Sequence, residues 1–116
     1  MHRLLKTTLA AAAMCLALAS TASAGSKLQE ILDAGTIRIG VSLGGEPIGF
    51  RDAQTNPVGY DVDVATMLAE KLGVKPEFTD VSGDARVSML VSNQLDLVVA
   101  NTSATLARAK AVSFSI

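Results

Sequence analysis

Few side chains in this sequence could do acid–base or nucleophilic chemistry, and their spacing argues against most of it. The only histidine, His2, and the only cysteine, Cys15, both fall within the first 24 residues. Beyond them there is no imidazole or thiolate to bind a metal, no disulfide framework, and no base for the usual nucleophile–base pairs. No cofactor is expected. Asp61 and Asp63 stand two apart at the start of a helical pattern. They point in different directions and read as helix-start groups, with Asp61 as the cap, rather than as a catalytic pair. Glu46 and Asp84 fall in loops, where solubility or capping accounts for them. The remaining cluster is Asn101, Thr102, Ser103 and Arg108, which straddles the passage from an apolar strand to a short helix. A planar guanidinium beside the N–H groups of a helix start is what a carboxylate-bearing ligand needs. Without further context, an arginine there is a solvated surface residue and a serine there a cap.

The amino terminus has the three-part layout of an export signal. Two cations, Arg3 and Lys6, precede an uncharged apolar run from Leu9 to Ala19, followed by the small residues Ala22, Ser23 and Ala24. Cleavage is expected before Gly25, so that residues 1–24 are the signal and 25–116 the mature part. The run is about eleven residues, and a helix needs roughly twenty to span a bilayer. Cys15 follows Met14 rather than a small residue, which argues against lipid attachment. Without the signal, 8 Lys and Arg stand against 11 Asp and Glu, a net charge of −3. A mildly acidic chain with no basic cluster lacks the electrostatic footprint of a nucleic-acid binder.

The elements that must position these residues follow from periodicity. Leu28, Ile31 and Leu32 predict a short opening helix that stops at Gly35. Thr36 to Ser42 alternates with β-branched residues at Ile37, Ile39 and Val41, a strand. Ile48 with Phe50, and Val58 with Tyr60, flank the turn-forming stretch from Asp52 to Pro57 and predict a small hairpin. A helix opens at Asp61 with Val64, Met67, Leu68 and Leu72 along one face, and ends at Gly73. Val74 to Val81 predicts a second strand, entered through Pro76, and Gly83–Asp84 opens a second helix that stops at Asn93. Leu95 to Ala100 is a third, nearly continuous apolar strand, suited to burial on both faces of a parallel sheet. A helical turn at Leu106 to Lys110 and a further strand start at Val112 to Phe114 complete the pattern. Tyr60 and Phe78 are expected in the core. The rhythm is that of a βαβαβ α/β sandwich with right-handed crossovers. The last residue, Ile116, falls two residues past an apolar strand start with no turn or polar tail, so the chain is expected to continue.

Four blocks then carry a resemblance. They are I-R-I-G-V-S, E-P-I-G-F-R-D-A, V-G-Y-D-V-D-V-A-T-M-L-A-E-K-L-G-V and L-D-L-V-V-A-N-T-S-A-T-L-A-R-A-K-A-V-S-F-S, in this order between Thr36 and Ser115. The sequence resembles the N-terminal part of family 3 periplasmic solute-binding proteins, the polar amino-acid receptors of ABC importers. The resemblance implies a type II periplasmic-binding-protein lobe, with a second lobe beyond Ile116. It also implies a periplasmic, monomeric, non-catalytic receptor that binds an amino acid or related small carboxylate and delivers it to an inner-membrane permease.

On that resemblance Arg108 grips the ligand carboxylate and Ser103 adds its hydroxyl and backbone N–H. Asn101 offers its carbonyl to the ligand ammonium, with Thr102 beside it. Ser42, at the end of the first strand, and Gly83 fall where relatives carry an acidic or polar residue and an aromatic residue. Gly45 falls at a second aromatic place. Without those aromatic faces a cationic ligand held by cation–π contact is disfavoured. Loop drift could instead bring Leu43, Ile48 or Phe50 into the gap. Two other functions share the fold: an exported small-carboxylate enzyme of the cyclohexadienyl dehydratase kind, and a sensory module of a larger protein.

Overall fold

A computed structural model describes residues 26–115. The expected export signal, its cleavage point before Gly25 and the final residue lie outside the described residues. Helix α1, Lys27–Ala34, begins where the Ser26 hydroxyl accepts a bond from Gln29 N at 3.2 Å, and ends at Gly35 with φ 69°. The Gly35 N–H closes the last turn onto the Ile31 and Leu32 carbonyls, a left-handed stop that a side chain would strain. Strand β1, Thr36–Val41, follows at once.

Three parallel strands form the sheet, in the order β4 (Lys75–Asp80), β1, β5 (Leu97–Val99). Ile39 pairs with Phe78 on one side and with Leu97 on the other. Pro76 is tolerated because β4 is an edge strand, where one missing N–H breaks no ladder. The chain steps from β1 to β4 through helix α2, Tyr60–Leu72, then passes back across β1 to β5 through helix α3, Ala85–Val91. Right-handed crossovers in opposite directions put α2 and α3 on opposite faces, which gives the three-layer α/β arrangement the βα rhythm predicts. A short hairpin, β2 (Phe50–Arg51) with β3 (Pro57–Val58), leads into α2, and helix α4, Leu106–Ala109, follows β5.

The central strand supplies the core. Ile37, Ile39 and Val41 project to one face and pack with Ile31 of α1 and Val62, Ala65 and Ala69 of α2. Ile39 and Val41 have no exposed surface, and burying each contributes about 2 kcal/mol. Phe78 packs against this cluster.

Several expectations are corrected. The buried face of α2 is Val62, Ala65 and Ala69, and Val64, Met67 and Leu68 face outward. Small alanines let the helix approach the sheet closely, which outweighs the larger residues' hydrophobicity. The cap of α2 is Gly59, not Asp61. Tyr60 starts that helix instead of ending the hairpin, and is 66% exposed rather than buried. Strand β5 spans only Leu97–Val99 and is half-buried, because it stands at the edge of the described sheet. The stretch from Val112 to Phe114 forms no strand, having no strand partner among the described residues.

Candidate functional site

A cleft of about 690 Å³ opens at the carboxyl ends of β1 and β5, lined by residues that include Ser42, Ile48, Tyr60, Asp61, Arg86 and Asn101. The chain reverses its direction of travel across the sheet at this point, and open α/β sheets bind ligands at such a crevice. The loop after β1 forms one wall. Gly45 and Gly49 exchange backbone bonds at 2.9 and 3.1 Å, and a side chain at Gly49 would meet the Ser42 carbonyl at 2.2 Å. The same loop closes the start of α2. Its Pro47 and Ile48 carbonyls accept the Tyr60 and Asp61 N–H groups at 3.1 and 2.9 Å, satisfying donors that a helix start leaves free. Gly59 makes this approach feasible: it has φ 118°, and a Cβ there would sit 2.7 Å from the Ile48 carbonyl. Tyr60 and Asp61 are thereby fixed at the cleft. Leu43 N, bound to Asp80 Oδ1 at 3.1 Å, ties this wall to the end of β4.

Three charged residues line the cleft: Glu46, which is exposed on the loop, and Arg86 and Asp61, which are more deeply set. Arg86, the second residue of α3, is only 9% exposed. Its Nη1 donates to the Asn101 carbonyl and to Thr102 Oγ1, both at a long 3.3 Å, and its Nε, although buried, has no partner. Asp61 Oδ2 is likewise buried without a partner. The ion pairs among the described residues are Lys27–Glu30, Lys27–Asp96 and Arg38–Asp96, so Arg86 and Asp61 do not close on each other. Burial pushes the Asp61 carboxyl above the usual carboxylate range, and the Arg86 charge offsets only part of that.

Of the residues singled out from the sequence, Ser42 and Asn101 line the cleft. Thr102 is half-buried and touches Arg86. Ser103 and Arg108 bind each other beside the cleft, not in its lining: Arg108 Nη1 donates to the Ser103 carbonyl at 2.9 Å. The Thr105 hydroxyl caps α4 by accepting from Arg108 N at 3.3 Å. Gly83 is exposed, with open space where its side chain would be. Gly45, Ile48 and Tyr60 also line the cleft, whereas Leu43 and Phe50 are not among its lining residues.

Asp61 and Arg86 are the residues whose part in the cleft sequence reasoning missed. The signal for Arg86 was present: it lies three and four residues before Met89 and Leu90, on the inward stripe of α3, where a cation is out of place. Among the described residues no group of three or more potential ligands is arranged to hold a metal ion, and no helix is long and apolar enough to cross a membrane.

Fold and cleft together define an α/β lobe of the periplasmic-binding-protein type. Residues 37–116 match the profile of the bacterial extracellular solute-binding proteins, family 3, and the chain belongs to that family. It is 32% identical to the cyclohexadienyl dehydratase of Pseudomonas aeruginosa over 105 residues, which is 88% of this chain and 39% of that protein. It is also 32% identical to the putative amino-acid ABC transporter-binding protein YhdW of Escherichia coli K12, over 93% of this chain and 33% of that one. Among solved structures, the arginine-bound form of domain 1 from TmArgBP superposes with a TM-score of 0.70 at 33% identity, covering 75% of this chain and 69% of that one. The chain thus spans between a third and two fifths of the length of these two full-length relatives.

Proposed function

We propose that this chain is the first lobe of an exported receptor that binds an amino acid or related small carboxylate and delivers it to an ABC permease in the inner membrane. The observation that carries the reading is the cleft, lined by both charged and apolar residues, at the carboxyl ends of β1 and β5 in a family 3 chain. In this reading residues 1–24 direct export to the periplasm and are removed before Gly25, and the mature receptor works as a monomer. Arg108, freed from the Ser103 carbonyl, takes the ligand carboxylate together with the Ser103 hydroxyl and N–H. Asn101 and Thr102 flank the ligand head, Ser42 closes one side, and Gly83 leaves room on the other. A charge-assisted bond of this kind contributes about 1.5 to 3 kcal/mol. That domain 1 of TmArgBP was solved in an arginine-bound form supports the view that one lobe carries much of the recognition.

Thermal melts of the full-length protein against a panel of amino acids test the reading. A binding solute raises the melting temperature, since at one hundred times Kd it stabilises by about 2.7 kcal/mol. Arg108→Ala is expected to abolish that rise while leaving the unliganded melt within a degree or two. A panel with no stabilising solute, or an unchanged rise in the variant, would refute it.

Similarity to a cyclohexadienyl dehydratase favours a second reading, an enzyme using the same cleft. Turnover of a cyclohexadienyl substrate without ligand-induced stabilisation by any amino acid would establish it in place of the first.

A further inference from the structure

We infer that the cleft selects amino acids whose side chain ends in a carboxamide, held between Arg86 and Asp61; the inference rests on the receptor reading above. Both residues line the cleft, each carries a buried polar side-chain atom without a partner, and they make no ion pair with each other. Buried charges left in this state are costly unless another polar group completes them. The two formal charges cancel, so the group that completes both is neutral and offers an acceptor and a donor on separate atoms. A carboxamide does so: its oxygen accepts from the guanidinium and its NH2 donates to the carboxylate. A side-chain carboxylate would face Asp61, and an ammonium or guanidinium would face Arg86, so each ionic side chain meets one repulsive partner. An aliphatic side chain leaves both groups unpaired.

The surroundings fit such a ligand. The two Arg86 bonds, to Asn101 O and Thr102 Oγ1, are long and go to neutral acceptors, so the guanidinium can turn toward a better acceptor without losing an ion pair. Ile48 and the exposed ring of Tyr60 offer apolar walls for a methylene stem. Glu46 also borders the cleft, but it is a solvent-exposed loop residue whose charge water screens. With the ligand carboxylate at Arg108, the side-chain end is the part left for Arg86 and Asp61.

The deciding experiment is a thermal-shift titration of the full-length protein with L-glutamine, L-asparagine, L-glutamate, L-aspartate, L-arginine and L-leucine. Glutamine or asparagine is expected to act at a concentration at least tenfold lower than its isosteric acid, and than arginine or leucine. A stronger response to an acid, to arginine or to leucine overturns the carboxamide assignment while the receptor reading stands. No response to any amino acid overturns both. Two variants locate the effect. Arg86→Met is expected to erase the advantage of glutamine over leucine, and Asp61→Asn to narrow the gap between glutamine and glutamate to less than threefold. An amide preference that survives both substitutions would overturn the placement at this pair. If either variant fails to fold, the wild-type series still decides the ligand class.

Discussion

The lobe contains two arginine–aspartate pairings at opposite ends of the same parallel strands, and they are in opposite states. At the amino ends, Arg38 of β1 grips Asp96 with Nη2 at 2.6 Å and Nε at 3.0 Å, while Arg38 N donates to the same carboxylate at 2.9 Å. Arg38 Nη1 takes the Asn93 carbonyl at 2.7 Å, and Lys27 of α1 stands 3.5 Å from Asp96. Every part of that cluster has a partner, and the Asp96 side chain is only 6% exposed. At the carboxyl ends, the Arg86 charge is near enough to act on the Asp61 carboxyl, yet the two stay unpaired. The same two residue types lock α1, β1 and the turn before β5 together at one end, and leave buried polar atoms without partners beside a cleft at the other. Location on the sheet separates the roles, because ligands reach α/β sheets at the carboxyl ends of the strands.

The comparison breaks most clearly at the closed end. Asp96→Ala removes three bonds and leaves the Arg38 guanidinium half-matched, so we expect a loss of about 2 to 3 kcal/mol in urea denaturation. A loss under about 0.5 kcal/mol would mean the cluster is ornamental. Acid tests the same contact without mutation. The Arg38 guanidinium, by hydrogen bond and by charge, holds the Asp96 carboxyl down at about 2 from its ordinary 3.8. A carboxylate with a depressed folded pKa adds stability that is complete above the unfolded value and fades as pH falls toward the folded one. Between about pH 4 and pH 2 the protein should therefore lose roughly 1 to 2 kcal/mol through this group, and Asp96→Ala should flatten that part of the profile. An equal acid loss in the variant would assign the effect elsewhere.

What the sequence made legible differs between the two ends for a physical reason. Period-two and apolar runs announced β1 and β4, Gly35 and Gly73 marked helix ends with φ 69° and 70°, and the αL conformation of Asn93 (φ 59°) follows the end of α3. These signals are local, so short windows carry them. The face of α2 was misjudged because hydrophobicity pointed to Val64, Met67 and Leu68, whereas the sheet accepts the smaller Ala65 and Ala69. Asp61 read as a cap because aspartate before a helix normally is one. Only the tertiary approach of the Pro47 and Ile48 carbonyls shows that the start of α2 is already satisfied, which leaves the Asp61 side chain free to face the cleft. The Arg38–Asp96 cluster joins positions 58 apart in the chain, a pairing no local pattern could announce.

The smallest expected effect sharpens the comparison most. Arg86→Met keeps much of the side chain's volume but removes a desolvated charge whose Nε is unpaired and whose two bonds are long. Replacing such a group with an apolar one is often neutral or favourable, because the cost of burying the charge disappears with it. We expect the urea midpoint to stay put or rise, with stability within about 1 kcal/mol of the parent. The sign separates the two pairings: a structural arginine leaves a deficit when removed, as at the closed end, whereas one reserved for a ligand leaves none until the ligand is added. A fall comparable to that of Asp96→Ala would show that Arg86 already does its work in the empty cleft, and the distinction between the two ends would dissolve.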